Sequence, residues 1–174
     1  MRRRKRLLAL VATLPVAGLL APMPVVAGTA VADGTKGVAG ASGGTFMPFA
    51  QVLRRCDFSE TDFNGPTGYA RPTGVIRSDG STVTAEVQIN TAIPNIRYDV
   101  RLIQAPRPSS ATCHGGDPGV AAATLQIDPA GNGAVTVQDA IEPGATGAWV
   151  FISRPDAFSQ NPAEFYTTDL IADI

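Results

Sequence analysis

The chain has 174 residues, of which 44% are hydrophobic and 17% charged, and a formal net charge of −1. That length suits one domain with a leader to spare. Five of the 14 Lys and Arg lie in residues 2–6 and all 15 acids lie beyond residue 32, so the remainder carries −6 with its histidine neutral. A mildly acidic body excludes the basic footprint that nucleic acid requires and electrostatic docking on anionic lipid.

The first element is a leader. Arg2, Arg3, Arg4, Lys5 and Arg6 precede the apolar run Leu7 to Ala21, the basic-then-apolar order of a secretory signal peptide. Ala30-Val31-Ala32 places small residues where a signal peptidase reads, so the signal is expected over 1–32 with cleavage before Asp33; Ala27 offers a second site. Pro15, Pro22 and Pro24 interrupt the apolar run. It falls short of the roughly 20 residues that span a bilayer, so no stable span is expected after cleavage. Residues 33–45 are Gly-rich without apolar periodicity and read as a flexible linker.

From residue 46 to 174 the chain reads as a single β-domain. Phe49 to Cys56 fits strand or helix, and Tyr69 to Arg77 is a weak strand limited by Pro72 and Gly74. Val83, Ala85, Val87 and Ile89 alternate with polar residues, as do Tyr98, Val100 and Leu102. The intervening Ile93-Pro94-Asn95 signals a turn, so these runs are expected to pair as a hairpin. Ala123, Leu125 and Ile127 alternate, as do Val135 and Val137. Asp128 to Gly133 reads as the turn of a second hairpin. Ala148 to Ile152 is apolar on both phases and suits a central strand covered on both faces. Tyr166, Leu170, Ala172 and Ile174 share one phase, so a strand is expected at the end.

Seven or eight short strands without a long helix predict an all-β, antiparallel, immunoglobulin-like β-sandwich. In an exported chain the two cysteines, Cys56 and Cys113, are read as one disulfide. It closes a loop long enough to stabilise the fold by roughly 4 kcal/mol in the chain-entropy estimate. The spacing differs from antibody domains: Cys113 lies in a Gly/Pro/Ser-rich stretch and Trp149 follows both cysteines. The bond is expected to pin the 105–119 loop near Cys56.

Ala92 to Leu102, the Leu125 to Gly133 turn and Phe165-Tyr166-Thr167-Thr168 resemble segments of small exported β-sandwich proteins of actinobacteria. The similarity covers roughly 75–174. It implies export and a β-sandwich and transfers no catalytic residue.

Chemistry is sparse. His114 is the only histidine, and with Cys113 and Asp117 it outlines a metal site; a disulfide withdraws the thiolate such a site needs. A Ser-His-Asp hydrolase would have to use His114, and the chain has no Gly-x-Ser-x-Gly elbow. Glu60, Asp62, Glu86 and Glu142 are the acids from which a glycosidase pair is drawn. Asp128 to Gly133 offers one carboxylate, too few for calcium. Arg97, Asp99 and Arg101 share an outward strand face and fit either an acidic partner or plain solvation. No Gly-rich phosphate cradle opens a helix, so no nucleotide and no cofactor is expected. The reading is an exported, non-catalytic extracellular or cell-envelope domain that binds an envelope protein, glycan or lipid. The alternative is a small secreted hydrolase using loop carboxylates.

Overall fold

Residues 39–40, 43–63, 65 and 68–174 are described by the structure, a computed structural model. The expected signal peptide lies outside them. The expected linker runs into the sheet, because β1 (Ala39–Gly40) and the first residues of β2 (Gly44–Met47) fall within 33–45. The other strands are β3 (Phe49–Ala50), β4 (Arg71–Ser78), β5 (Thr82–Asn90), β6 (Arg97–Ala105), β7 (Val120–Gln126), β8 (Gly133–Ala140), β9 (Gly147–Arg154), β10 (Glu164–Thr168) and β11 (Ala172–Asp173). Eight of these have four residues or more, and among the described residues there is no helix.

Two antiparallel sheets form a β-sandwich. The first runs β1-β2-β4-β5-β8; the second runs β3-β10-β9-β6-β7, with β11 also pairing β9. Their facing surfaces hold the main core, in which Val83, Val87 and Ile89 of β5 meet Tyr98, Val100 and Leu102 of β6 and Val150 and Ile152 of β9. Each fully buried side chain of this size stabilises by about 1.5–3 kcal/mol. Alternation placed these residues inward, as expected.

Both expected hairpins are corrected. β5 pairs β4 and β8, whereas β6 pairs β7 and β9, so Ile93-Pro94-Asn95 carries the chain from one sheet to the other. Likewise β7 and β8 lie in opposite sheets, and Asp128–Gly133 is a crossover. Two amphipathic strands bury their apolar faces equally well side by side or face to face, so alternation alone does not distinguish these arrangements. The two crossovers support each other. Ala92 N–H donates to the Gly131 carbonyl at 3.0 Å and Ile127 N–H to that of Ile96 at 2.9 Å. Gly131 has φ +85° and a Cβ there would sit 2.7 Å from the Ala92 oxygen, so this corner requires glycine.

At the opposite end buried Gln104 of β6 latches the sheets together. Its Nε2 donates to the Ala140 carbonyl at 2.7 Å and to Asp139 Oδ2 at 3.1 Å, and its Oε1 accepts from Glu142 N–H at 2.8 Å. The C-terminal run breaks between β10 and β11, yet Tyr166 and Ala172 enter the main core in the shared phase.

Candidate functional site

The outer face of the second sheet is built differently. β9 is buried along almost its whole length. Outward-facing Trp149 and Phe151, with Ile103 and Phe165, meet Leu53, Cys56, Phe58 and Phe63 of an irregular segment. That segment doubles back on itself: Phe58 N–H donates to the Arg55 carbonyl at 2.9 Å and Thr61 N–H to that of Leu53 at 2.9 Å. At its tip Phe58 adopts φ +70° and sets its ring edge-on to Trp149, with centroids 5.3 Å apart. The ambiguous run Phe49 to Cys56 is thus neither long strand nor helix, but the start of a cover. The Cys56–Cys113 disulfide, with Cα atoms 5.5 Å apart, ties this cover to the 105–119 loop as expected.

Beside the cover the outer face is an open groove. Asp99 and Arg101 of β6 and Phe151 and Ser153 of β9 form its floor, the cover supplies one wall through Leu53 and Arg54, and the 155–163 loop supplies the other. This cavity measures about 410 Å³, within the roughly 300–1,000 Å³ of ligand sites. A second cavity of about 380 Å³ shares Asp99 and Arg101 and extends to His114 and Thr124. The pair therefore stands at the middle of one depression crossing β9, β6 and β7.

Sheet register explains the floor. Asp99 lies opposite Ser153, and Arg101 opposite Phe151. The Arg101 guanidinium stacks 4.5 Å above the Phe151 ring, and Nη1 donates to the Cys113 carbonyl at 2.9 Å. Burial lowers the Arg101 pKa, with the Asp99 charge opposing it. One of its five N–H groups is thus bound to the protein, and the rest have no hydrogen-bond partner among the described residues. Ser153 is 6% exposed, yet its hydroxyl has no hydrogen bond among the described residues. The Asp99 carboxylate and the side-chain amides of Gln160 and Asn161 are equally uncommitted there.

The residues singled out in the sequence are scattered. Cys113 is spent in the disulfide. Asp117 accepts from the Thr112 hydroxyl at 2.7 Å and from His114 N–H at 2.8 Å, two bonds that lower its pKa and hold the loop rather than a metal. His114 is exposed at the rim of the second cavity. Glu60 pairs with Arg54 at 3.2 Å, Glu86 pairs with Arg77 at 2.6 Å on the other sheet, and Asp62 and Glu142 are exposed elsewhere; these four acids do not converge. Asp128 Oδ1 accepts from Ala130 and Asn132 N–H at 2.8 Å each, closing its own turn. Arg97 is exposed, but Arg101 and Asp99 are half-buried on a structured floor, so this strand face is not plainly solvated.

Sequence reasoning missed Ser153, Asp156, Gln160 and Asn161. Ser153 reads as the last residue of an apolar strand. The signal for the loop was present: Pro155 and Pro162 bracket a polar run between two buried strands.

A buried acid at the crossover end was also missed. Glu164 is 3% exposed; its Oε1 accepts from the Tyr166 hydroxyl at 2.5 Å and its Oε2 from Arg154 Nε at 3.3 Å. The Tyr166 hydroxyl accepts in turn from Ala70 N–H at 3.0 Å. A Cβ on Gly68 would lie 1.8 Å from the carboxylate, so only glycine passes here. Burial first, then Glu164, pushes the Tyr98 and Tyr166 pKa values well above the usual tyrosine range. This cluster adjoins a cavity of about 270 Å³, but both carboxylate oxygens are engaged, one by Arg154 of β9 and one by the Tyr166 hydroxyl, which in turn holds Ala70 just before β4.

Comparison with protein-family models, with curated proteins and with solved structures found no match to the chain.

Proposed function

We propose that the chain is exported, is cleaved after Ala32, and acts outside the cytoplasm as a non-catalytic module binding an envelope protein, glycan or lipid. One observation carries the reading: a groove of ligand-sized volume whose floor holds the Ser153 hydroxyl and the Arg101 guanidinium, both with hydrogen-bonding capacity unspent. Polar groups that open onto a groove without protein partners can bond a ligand without breaking the fold's own hydrogen bonds. The disulfide supports an oxidising compartment, and the resemblance to exported actinobacterial proteins points the same way. The sandwich is read as immunoglobulin-like, because β4-β5-β8 facing β10-β9-β6-β7 parallels strands A-B-E facing G-F-C-C′.

The test is titration of isolated envelope fragments with the labelled domain of residues 33–174. Saturable binding that falls when the groove is blocked by Ser153→Gln is expected; binding that is linear and non-saturable overturns the reading. Mass spectrometry of culture fluid is expected to find Asp33 as the first residue.

The hydrolase alternative keeps one specific support, since Asp99 and Asp156 line the same cavity. A glycosidase acid is held protonated by an apolar wall, whereas the immediate floor around Asp99 is Arg101 and Ser153. Product release abolished by Asp99→Asn would favour the enzyme.

A further inference from the structure

We infer that the ligand of this groove is a neutral oligosaccharide, lying across β9, β6 and β7 and centred on Asp99, Ser153 and Arg101; this rests on the binding-module reading and names its ligand class. The groove is centred on two interior strands, β6 and β9, and reaches the edge strand β7 only at its far end. β6 has both neighbours in place and β9 likewise, so their ladder groups are taken and an extended peptide finds no sheet edge to join beneath Asp99, Ser153 and Arg101. Recognition falls to side chains. Those available are a carboxylate, a hydroxyl, a guanidinium and two amides, a mixture of donors and acceptors suited to ligand hydroxyls, which both donate and accept. Leu53, Phe151, Pro155 and Pro162 add apolar surface for the C–H faces of sugar rings.

Charge narrows the ligand further. Arg101 and Arg54 are matched by Asp99 and Asp156 along the groove, and the body of the chain is acidic. A polyanion is disfavoured by the body and a polycation finds no net negative cleft. The length of the depression points to more than one ring, because two cavities flank the Asp99–Arg101 pair and three strands lie about 4.8 Å apart. Preorganisation is present: Phe151 below and the Cys113 carbonyl beside it fix the guanidinium before any ligand arrives.

The test is calorimetric titration of the domain of residues 33–174 against a panel of neutral linear hexose and pentose oligosaccharides, alongside the envelope titration. Binding to at least one series is expected, weakened at least tenfold by Asp99→Ala and Arg101→Ala. Gln160→Ala and Asn161→Ala change only an exposed loop, so they keep the test informative if a floor variant fails to fold; each is expected to weaken binding severalfold with an unchanged melting temperature. Envelope binding that persists while no neutral oligosaccharide binds overturns the ligand class and leaves the module reading standing. Oligosaccharide binding indifferent to all four variants overturns the site. Loss of both titrations sinks both readings, and release of shortened sugars replaces the module with a hydrolase.

Discussion

The two faces of the second sheet solve one burial problem in different ways. On the inner face, alternating residues of β6 and β9 meet an equally regular opposing sheet. On the outer face, Trp149, Phe151 and Phe165 are covered by an irregular loop with a disulfide across it. Strand-on-strand burial is supported along whole ladders of hydrogen bonds. Loop-on-strand burial rests on a few side chains and one covalent tie, so it yields first when conditions change. The same looseness of coverage leaves part of the outer face open as a groove.

The largest effect is expected on the inner face. Leu102→Ala removes a fully buried side chain and should cost about 2–5 kcal/mol. Phe58→Ala in the half-buried cover should cost roughly 1–2 kcal/mol, since less surface leaves water there. Denaturant unfolding measures both, and equal losses would erase the contrast.

Reducing the disulfide comes next. The alternating core stands without it, so the reduced domain should stay folded and lose up to roughly 4 kcal/mol. Trp149, the only tryptophan, sits beneath the cover, so its emission should shift to the red on reduction. Arg101 should lose its anchor on the Cys113 carbonyl, and the proposed oligosaccharide binding should weaken with it. Identical unfolding midpoints with and without reductant would deny the bond a structural role.

Acid should act on the outer face before the inner. Asp57 in the cover and Asp117 in the disulfide loop lie below the ordinary aspartate value of 3.8, held there by the Ser59 and Thr112 hydroxyls first and by backbone N–H groups second. Because their folded pKa values are lowered, their contribution is present above the unfolded value and is lost as pH falls through the folded one. Trp149 emission should therefore change below about pH 4, ahead of the far-ultraviolet signal of the sheets. Coincident transitions would contradict a separately yielding cover.

The smallest effect is expected at His114. Its ring is exposed, and what the loop uses is its backbone N–H to Asp117. His114→Ala should leave the melting temperature within about 1 °C, a shift well below that of a 1 kcal/mol change. A loss of bound metal in that variant would restore the discarded metal reading.

Much of this architecture was legible in the residues. Period-two alternation in Val83 to Ile89 and Tyr98 to Leu102 specifies strands and the face each buries, because that periodicity is local geometry. The doubly apolar Ala148 to Ile152 announced a strand covered on both sides, and two cysteines behind a basic-then-apolar leader announced their bond. Which strands pair was not legible. The same alternation serves a hairpin and a crossover, and only the competition of all strands for partners separated β5 from β6. The groove was hidden for the same reason. Asp99 and Ser153 are far apart in the chain and become neighbours through antiparallel register, and Arg101 becomes an anchor only when Phe151 lies opposite and the Cys113 loop folds over it. Sequence by itself determined the elements, their inward faces and the covalent tie, since these depend on residues near one another or on chemistry that admits one partner. Tertiary structure alone decided the sheet order, the cover and the groove, since these arise where distant segments meet.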